Sequence, residues 1–174
     1  MSITLHTASV PVFLRYLEGL RHLVDAAEAG GKDRGDAAAD WLGARLAPDM
    51  LPFEQQVSIA AHFALRACYP LVGLAVPPYG DFPTTFDGLR QRIARVVGLL
   101  GALEAAQFDG AESRTLESLA GQARVVLPAP EFLLQYALPN FFFHLTSAYA
   151  ILRQRGVALG KEDFDGFHAY RERR

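Results

Sequence analysis

The sequence predicts an all-α fold, a four-helix bundle, on three observations. Apolar residues recur at three-four spacing through four separate segments. That spacing breaks in one place, between Phe108 and Pro130. Beyond the break, the run PEFLLQYALPNFFFHLTSAYAILRQRG, from Pro130 to Gly156, is the longest helix-compatible stretch and carries the most unusual polar residues.

The first helix is predicted to start at Ser9 as its cap, with Pro11 in the first turn, where a missing N–H costs nothing. Its stripe is Val10, Phe13, Leu17, Leu20, Val24 and Ala27, it runs to about Glu28, and Gly30-Gly31 ends it. Lys32 to Asp40 reads as a loop into a short helix holding Trp41 and Leu46. Asp49 is the expected cap of the second helix, whose seam is Phe53, Val57, Ala61, Ala64, Cys68 and Leu71, and Pro70 ends or bends it. Pro77-Pro78 and Gly80 make a loop crossing to the third helix. That helix starts at Thr84 or Thr85, with Asp87 placed for capping and Phe86, Leu89, Ile93, Val96, Leu100 and Leu103 buried. Arg114 to Leu127 then reads as a small β-hairpin turning about Ala120-Gly121.

The fourth helix has two stripes. Leu133, Ala137, Asn140, His144, Ser147 and Ile151 lie on one, and Leu134, Leu138, Phe141, Leu145, Ala148 and Leu152 on the other. The first stripe is polar in its middle, and a buried amide or imidazole costs roughly 1–3 kcal/mol unless something bonds it. Asn140 and His144 therefore need partners. Four residues advance a helix by about 6 Å and turn it by about 40°, so the two side chains can converge on one atom, as metal ligands on one helix face do. Pro139 should kink the helix just before them, and Asn140 can alternatively bond backbone freed by that kink. Because one bundle core covers about half of a helix's circumference, the second stripe predicts a homodimer through the fourth helix.

The 174 residues fit one domain, 1–166, followed by a polar tail, 167–174. A net charge of −2 and 51% apolar residues describe a soluble globular protein with no nucleic-acid or membrane partner. A single cysteine, Cys68, points to a reducing cytoplasm, and it belongs to an apolar helix face. No nucleophile-elbow, CxxC or phosphate-loop pattern and no catalytic carboxylate pair occurs. The runs RLAPDMLPFEQQV, TTFDGLRQRIARV and LPNFFFHLTSAYAILRQRGVALGKEDF resemble the DinB/YfiT-like superfamily of bacterial bundles, and more closely a branch described as a domain of unknown function. The likeness covers Met1 to about Gly166 and implies a long crossover between the second and third helices.

Metal-binding members of that superfamily hold a divalent ion with one histidine on the second helix and an HxxxH pair on the fourth. Aligning LRQRGV puts the pair on Asn140 and His144, with His62 the available second-helix histidine. An amide oxygen is a weaker ligand than imidazole for zinc or nickel, and the seam aims His62 roughly 140° away from the core. Two functions are therefore predicted from different classes. One is a metal-free homodimeric bundle without a cofactor, binding a small, mostly apolar molecule in a pocket of Asn140, His144, Ser147, Tyr136 and Gln56. The other is a divalent-metal enzyme, a hydrolase or thiol transferase, using His144, Asn140 and His62 with zinc or nickel.

Overall fold

A computed structural model of the chain describes residues 3–169. It is mostly helical, with a small two-stranded antiparallel sheet. The predicted last residues of the polar tail, 170–174, lie outside the described residues. The elements are α1 (Val10–Arg34), α2 (Ala38–Leu42), α3 (Phe53–Leu71), α4 (Phe86–Gly101), β1 (Thr115–Ala120), β2 (Ala123–Pro128), α5 (Ala129–Glu131), α6 (Leu138–Gln154) and α7 (Lys161–Asp165). A π-helical stretch, Phe132–Ala137, joins α5 to α6 into one continuous helical run.

One apolar core gathers Phe13, Leu17, Leu20, Phe53, Leu65, Ile93, Leu100, Phe132 and Phe141, all within 1% of complete burial. The stripes expected of the four long helices supply it. Contacts along the helices give their relative directions. Gln56 meets His144 and Arg66 meets Tyr136, so α3 runs against the fourth helical run. His62 meets Arg92 and Tyr69 meets Leu99, so α3 and α4 run the same way. Phe13 packs edge-on against Phe141 near the start of α1, and Trp41, stacked on Gly30 near its end, lies under Arg155. The outer two long helices are therefore parallel to each other. α3 and α4 point together, so residues 72–85 travel back along the bundle as the long crossover.

Several boundaries differ from expectation, each for a local reason. The glycines at 30 and 31 do not end α1, which continues to Arg34 and stops at Gly35 in the left-handed region, φ 69°. A Cβ on Gly30 would stand 2.8 Å from Trp41 Cη2, so these glycines admit the indole instead. Ser9 does not cap the helix, because its hydroxyl donates backward to the Leu5 carbonyl at 2.5 Å. Leu46 lies outside the short α2 and is exposed. Pro52, not Asp49, occupies the cap position of α3, which reaches Leu71 with Pro70 in its final turn. Thr85 caps α4 by accepting from the Gly88 N–H at 3.0 Å, while Asp87 accepts from Gln91 instead of capping.

The hairpin pairs Thr115 with Pro128 through Ala120 with Ala123, turning at Gly121, whose φ of 60° a side chain would disfavour. The expected disruption at Pro139 takes the form of the π-helical stretch just before it, a widening that accommodates the proline's missing N–H. Past Gly156 the chain forms α7, which docks on α1 through His22 and Asp163, 2.8 Å apart. Gly19 makes that approach possible, since a Cβ there would meet the Phe164 carbonyl at 3.1 Å.

Candidate functional site

The polar residues expected on the fourth helix fall into separate arrangements. Gln56 is 1% exposed on α3, and its carbonyl oxygen accepts from His144 Nδ1 at 2.7 Å. Its amide nitrogen donates to the Leu51 carbonyl at 3.2 Å. Because an amide oxygen cannot donate, His144 carries its proton on Nδ1 and presents Nε2 as an acceptor. The imidazole is half-buried between Phe63, stacked at 5.9 Å, and the exposed Phe143, edge-on at 5.2 Å. Burial lowers its pKa from the ordinary 6.5, so it is neutral near pH 7.

Asn140 donates to the Tyr136 carbonyl at 2.7 Å, bonding the helix backbone of the widened stretch, as the alternative reading of this residue anticipated. Ser147 likewise donates to the Phe143 carbonyl at 2.8 Å. The Tyr136 hydroxyl turns toward Arg66 of α3, at 3.2 Å, and toward Ser118 and Leu119 of β1. Of the five pocket residues, then, Gln56 and His144 are brought into direct contact. Asn140 and Ser147 are satisfied by their own helix, and Tyr136 joins an α3–hairpin network. Cavities at Arg15–Asp163 and at Leu5–Leu134, of about 510 and 580 Å³, are lined by none of the five.

His62 stands on a different flank. Its ring stacks on Tyr79 of the crossover, with centroids 3.7 Å apart and planes within 10°. Arg92 of α4 donates to its Nε2 at 2.9 Å. Desolvation, then the nearby Arg92 and Arg66, push its pKa down to about 4. The three residues aligned with the superfamily's metal ligands thus do not fit a shared ion: His62 Nε2 is occupied by a guanidinium, Asn140 is turned onto its own backbone, and His144 is oriented by Gln56. Among the described residues, no group of three or more His, Cys, Asp or Glu side chains is arranged to hold a metal.

The second stripe of the fourth helix meets its own chain. Phe141, Leu145, Ala148 and Leu152 are all 0% exposed, and only Leu134 is open, at 56%. Packing of α1 against α6, including Phe13 on Phe141 and Tyr16 on Phe142, removes the basis on which a homodimer through this helix was expected. Among the described residues, no helix is long and apolar enough to cross a membrane. Sequence reasoning passed over Arg66 and Arg92, because charged residues on an amphipathic helix read as a solvated face until the crossover is folded over them.

Comparison with known proteins fits this architecture. A family model described as "Domain of unknown function (DUF1993)" matches residues 5–165. A crystal structure of a DinB family member protein from Shewanella denitrificans is similar, with 34% sequence identity and a TM-score of 0.86, covering 97% of this chain and 96% of that one. No curated protein matches. With a family model spanning nearly the whole chain and a DinB relative sharing its fold end to end, the protein belongs to the DUF1993 family, a DinB-like family of unknown function.

Proposed function

We propose that this protein is a metal-independent binding module, taking a small, mostly apolar molecule against the fourth helical run around His144. The observation that carries the reading is the Gln56–His144 hydrogen bond, which fixes the imidazole with Nε2 as a free-standing acceptor between two phenyl rings. Such a group orients a ligand hydroxyl or N–H while Phe63 and Phe143 cover its apolar part. Asn140 and Tyr136 stand about one and two turns earlier on the same run and bound the same face. A reducing cytoplasm is the compartment we propose for it, on its single cysteine.

Elemental analysis of protein purified without an affinity tag tests the metal-free part: zinc and nickel are expected well below one ion per chain. A stoichiometric ion lost with activity in His144→Ala would instead make the protein a metal enzyme. Thermal-shift screening with small apolar alcohols and amides tests the binding part, and any stabilisation should vanish in His144→Ala. Asn140→His supplies a second imidazole one turn from the first, so it should raise zinc or nickel affinity above that of the unmodified protein, measured by competition with a chromophoric chelator. No gain, with the fold intact, would show that this face cannot bring two donors together.

A further inference from the structure

Around His62 of α3, two guanidiniums, Arg66 and Arg92, lack a counter-charge. Elsewhere Arg21, Arg90, Arg124 and Arg155 each pair with a carboxylate, while Arg95, Arg114 and Arg153 bond backbone carbonyls. Arg66 and Arg92, both half-buried, make no such pair among the described residues. Arg66 donates through a single nitrogen to three neutral acceptors: Ser118, the Leu119 carbonyl and Tyr136. Arg92 donates one N–H to the neutral His62 ring, and its Nε is buried without any partner. The Arg155 Nε is also buried without a partner, but that guanidinium pairs with Asp36; the Arg92 orphan has no such carboxylate to offset its cost.

The surrounding groups point the same way. Arg66 lies one helical turn beyond His62, whose ring is 2.9 Å from Arg92, so both cations stand within a side chain's reach of that imidazole. Since Arg92 donates to Nε2, the His62 proton is on Nδ1, a further N–H donor with no partner among the described residues. Beneath the ring, the Tyr79 hydroxyl also has none. Donors from α3, α4 and the crossover therefore lie around the His62 ring, and no described carboxylate is bonded to any of them.

The geometry points to an anion site here: Arg66 and Arg92, with His62 and Tyr79, form a receptor for the oxyanion of a small carboxylate- or phosphate-bearing molecule. A planar guanidinium offers paired N–H groups that match either oxyanion, and the orphaned Nε of Arg92 is half of such a fork. Asn140 and His144 take no part in this site, whereas Arg66 also bonds the Tyr136 hydroxyl of the fourth helical run.

The test is a titration of the intact, ¹⁵N-labelled protein with sodium phosphate and, separately, sodium acetate, at ionic strength held constant with sodium chloride. The Arg92 Nε–H and His62 ring resonances should shift saturably with at least one of them. A response to phosphate alone assigns the site to phosphoryl groups, and a response to acetate assigns it to carboxylates. Arg92→Gln and Arg66→Gln should each weaken that binding at least about tenfold, the scale of one lost charge-assisted hydrogen bond. Arg95→Gln, removing a neighbouring cation that bonds only the Pro78 carbonyl, should leave it unchanged. If neither anion moves the Arg92 and His62 signals beyond the chloride control, the proposal is wrong. Equal weakening by Arg95→Gln would also overturn it, by showing general attraction to surface charge. The resonance measurement on the unmodified protein decides the matter even if a glutamine variant fails to fold.

Discussion

At the scale of single residues, the buried Gln56 amide links two helices by serving both its polar ends, one to His144 and one to the Leu51 carbonyl. Gln56→Leu keeps most of the volume but leaves the His144 N–H and that carbonyl without partners. It should cost about 1–3 kcal/mol of unfolding free energy, read from urea denaturation. His62 carries a pH dependence of calculable sign. Its pKa falls from the ordinary 6.5 in the unfolded chain to about 4 in the fold, so the unfolded state binds more protons between those values and stability drops as pH falls. The full loss for this one group is on the order of 3 kcal/mol, with His144 acting in the same direction. Urea midpoints should therefore decline between pH 6.5 and pH 4.5, and His62→Gln should flatten the decline. Seam spacing alone revealed that His62 faces away from the core, and Pro139 announced that Asn140 had backbone to bond. The Arg92 side of His62 was not legible, because it depends on where the crossover folds Tyr79 and Phe82.

At the scale of elements, glycines marked close approach more often than termination. Gly30-Gly31 looks like a helix stop in sequence because glycine is a poor helix former, whereas here the small residues make room for the fully buried Trp41. This reverses the usual expectation for a substitution. Gly→Ala inside an exposed helix stabilises by about 1 kcal/mol, but Gly30→Ala drives a methyl into the indole and should destabilise by about 1–3 kcal/mol. Combining it with Trp41→Phe should recover part of that loss, a coupling visible in a double-mutant cycle by thermal or urea unfolding. The three-four spacing located all four long helices because each buries one coherent stripe. Element ends were less legible, since the Ser9 hydroxyl bonding backward and Pro52 replacing Asp49 at a cap depend on preceding turns. The short α7 was missed for a similar reason: its five residues gain little from periodicity and much from docking on α1.

At the scale of the whole molecule, the two stripes of the fourth helix have one explanation, the wrapping of α1 and α3 around it. Phe141→Glu and Leu145→Glu are thus expected to damage the fold itself, each placing a carboxylate where the residue is 0% exposed. Loss of cooperative melting in circular dichroism, with dye binding to exposed apolar surface, would register this. A well-folded variant of smaller mass would show that the stripe forms a subunit interface. Family membership was legible from whole motifs spread along the chain, and the parallel run of α3 and α4 only through the crossover that this resemblance implies, because hydrophobic periodicity carries no direction.

The same enclosure acts on Cys68. It is fully buried on α3, and burial pushes its thiol up to about 12. The nucleophilic thiolate is thus withheld both by access and by protonation. The lone sulfur becomes an internal clock for excursions from the native state. With a disulfide reagent in excess at pH 8, modification should proceed only as fast as the molecule transiently exposes the bundle's seam, and should become independent of reagent concentration when reclosing is slower than capture. Gly30→Ala should quicken the clock if it frees the interior globally and leave it unchanged if only the α1–Trp41 corner loosens, so one cysteine can distinguish a local opening from a collective one.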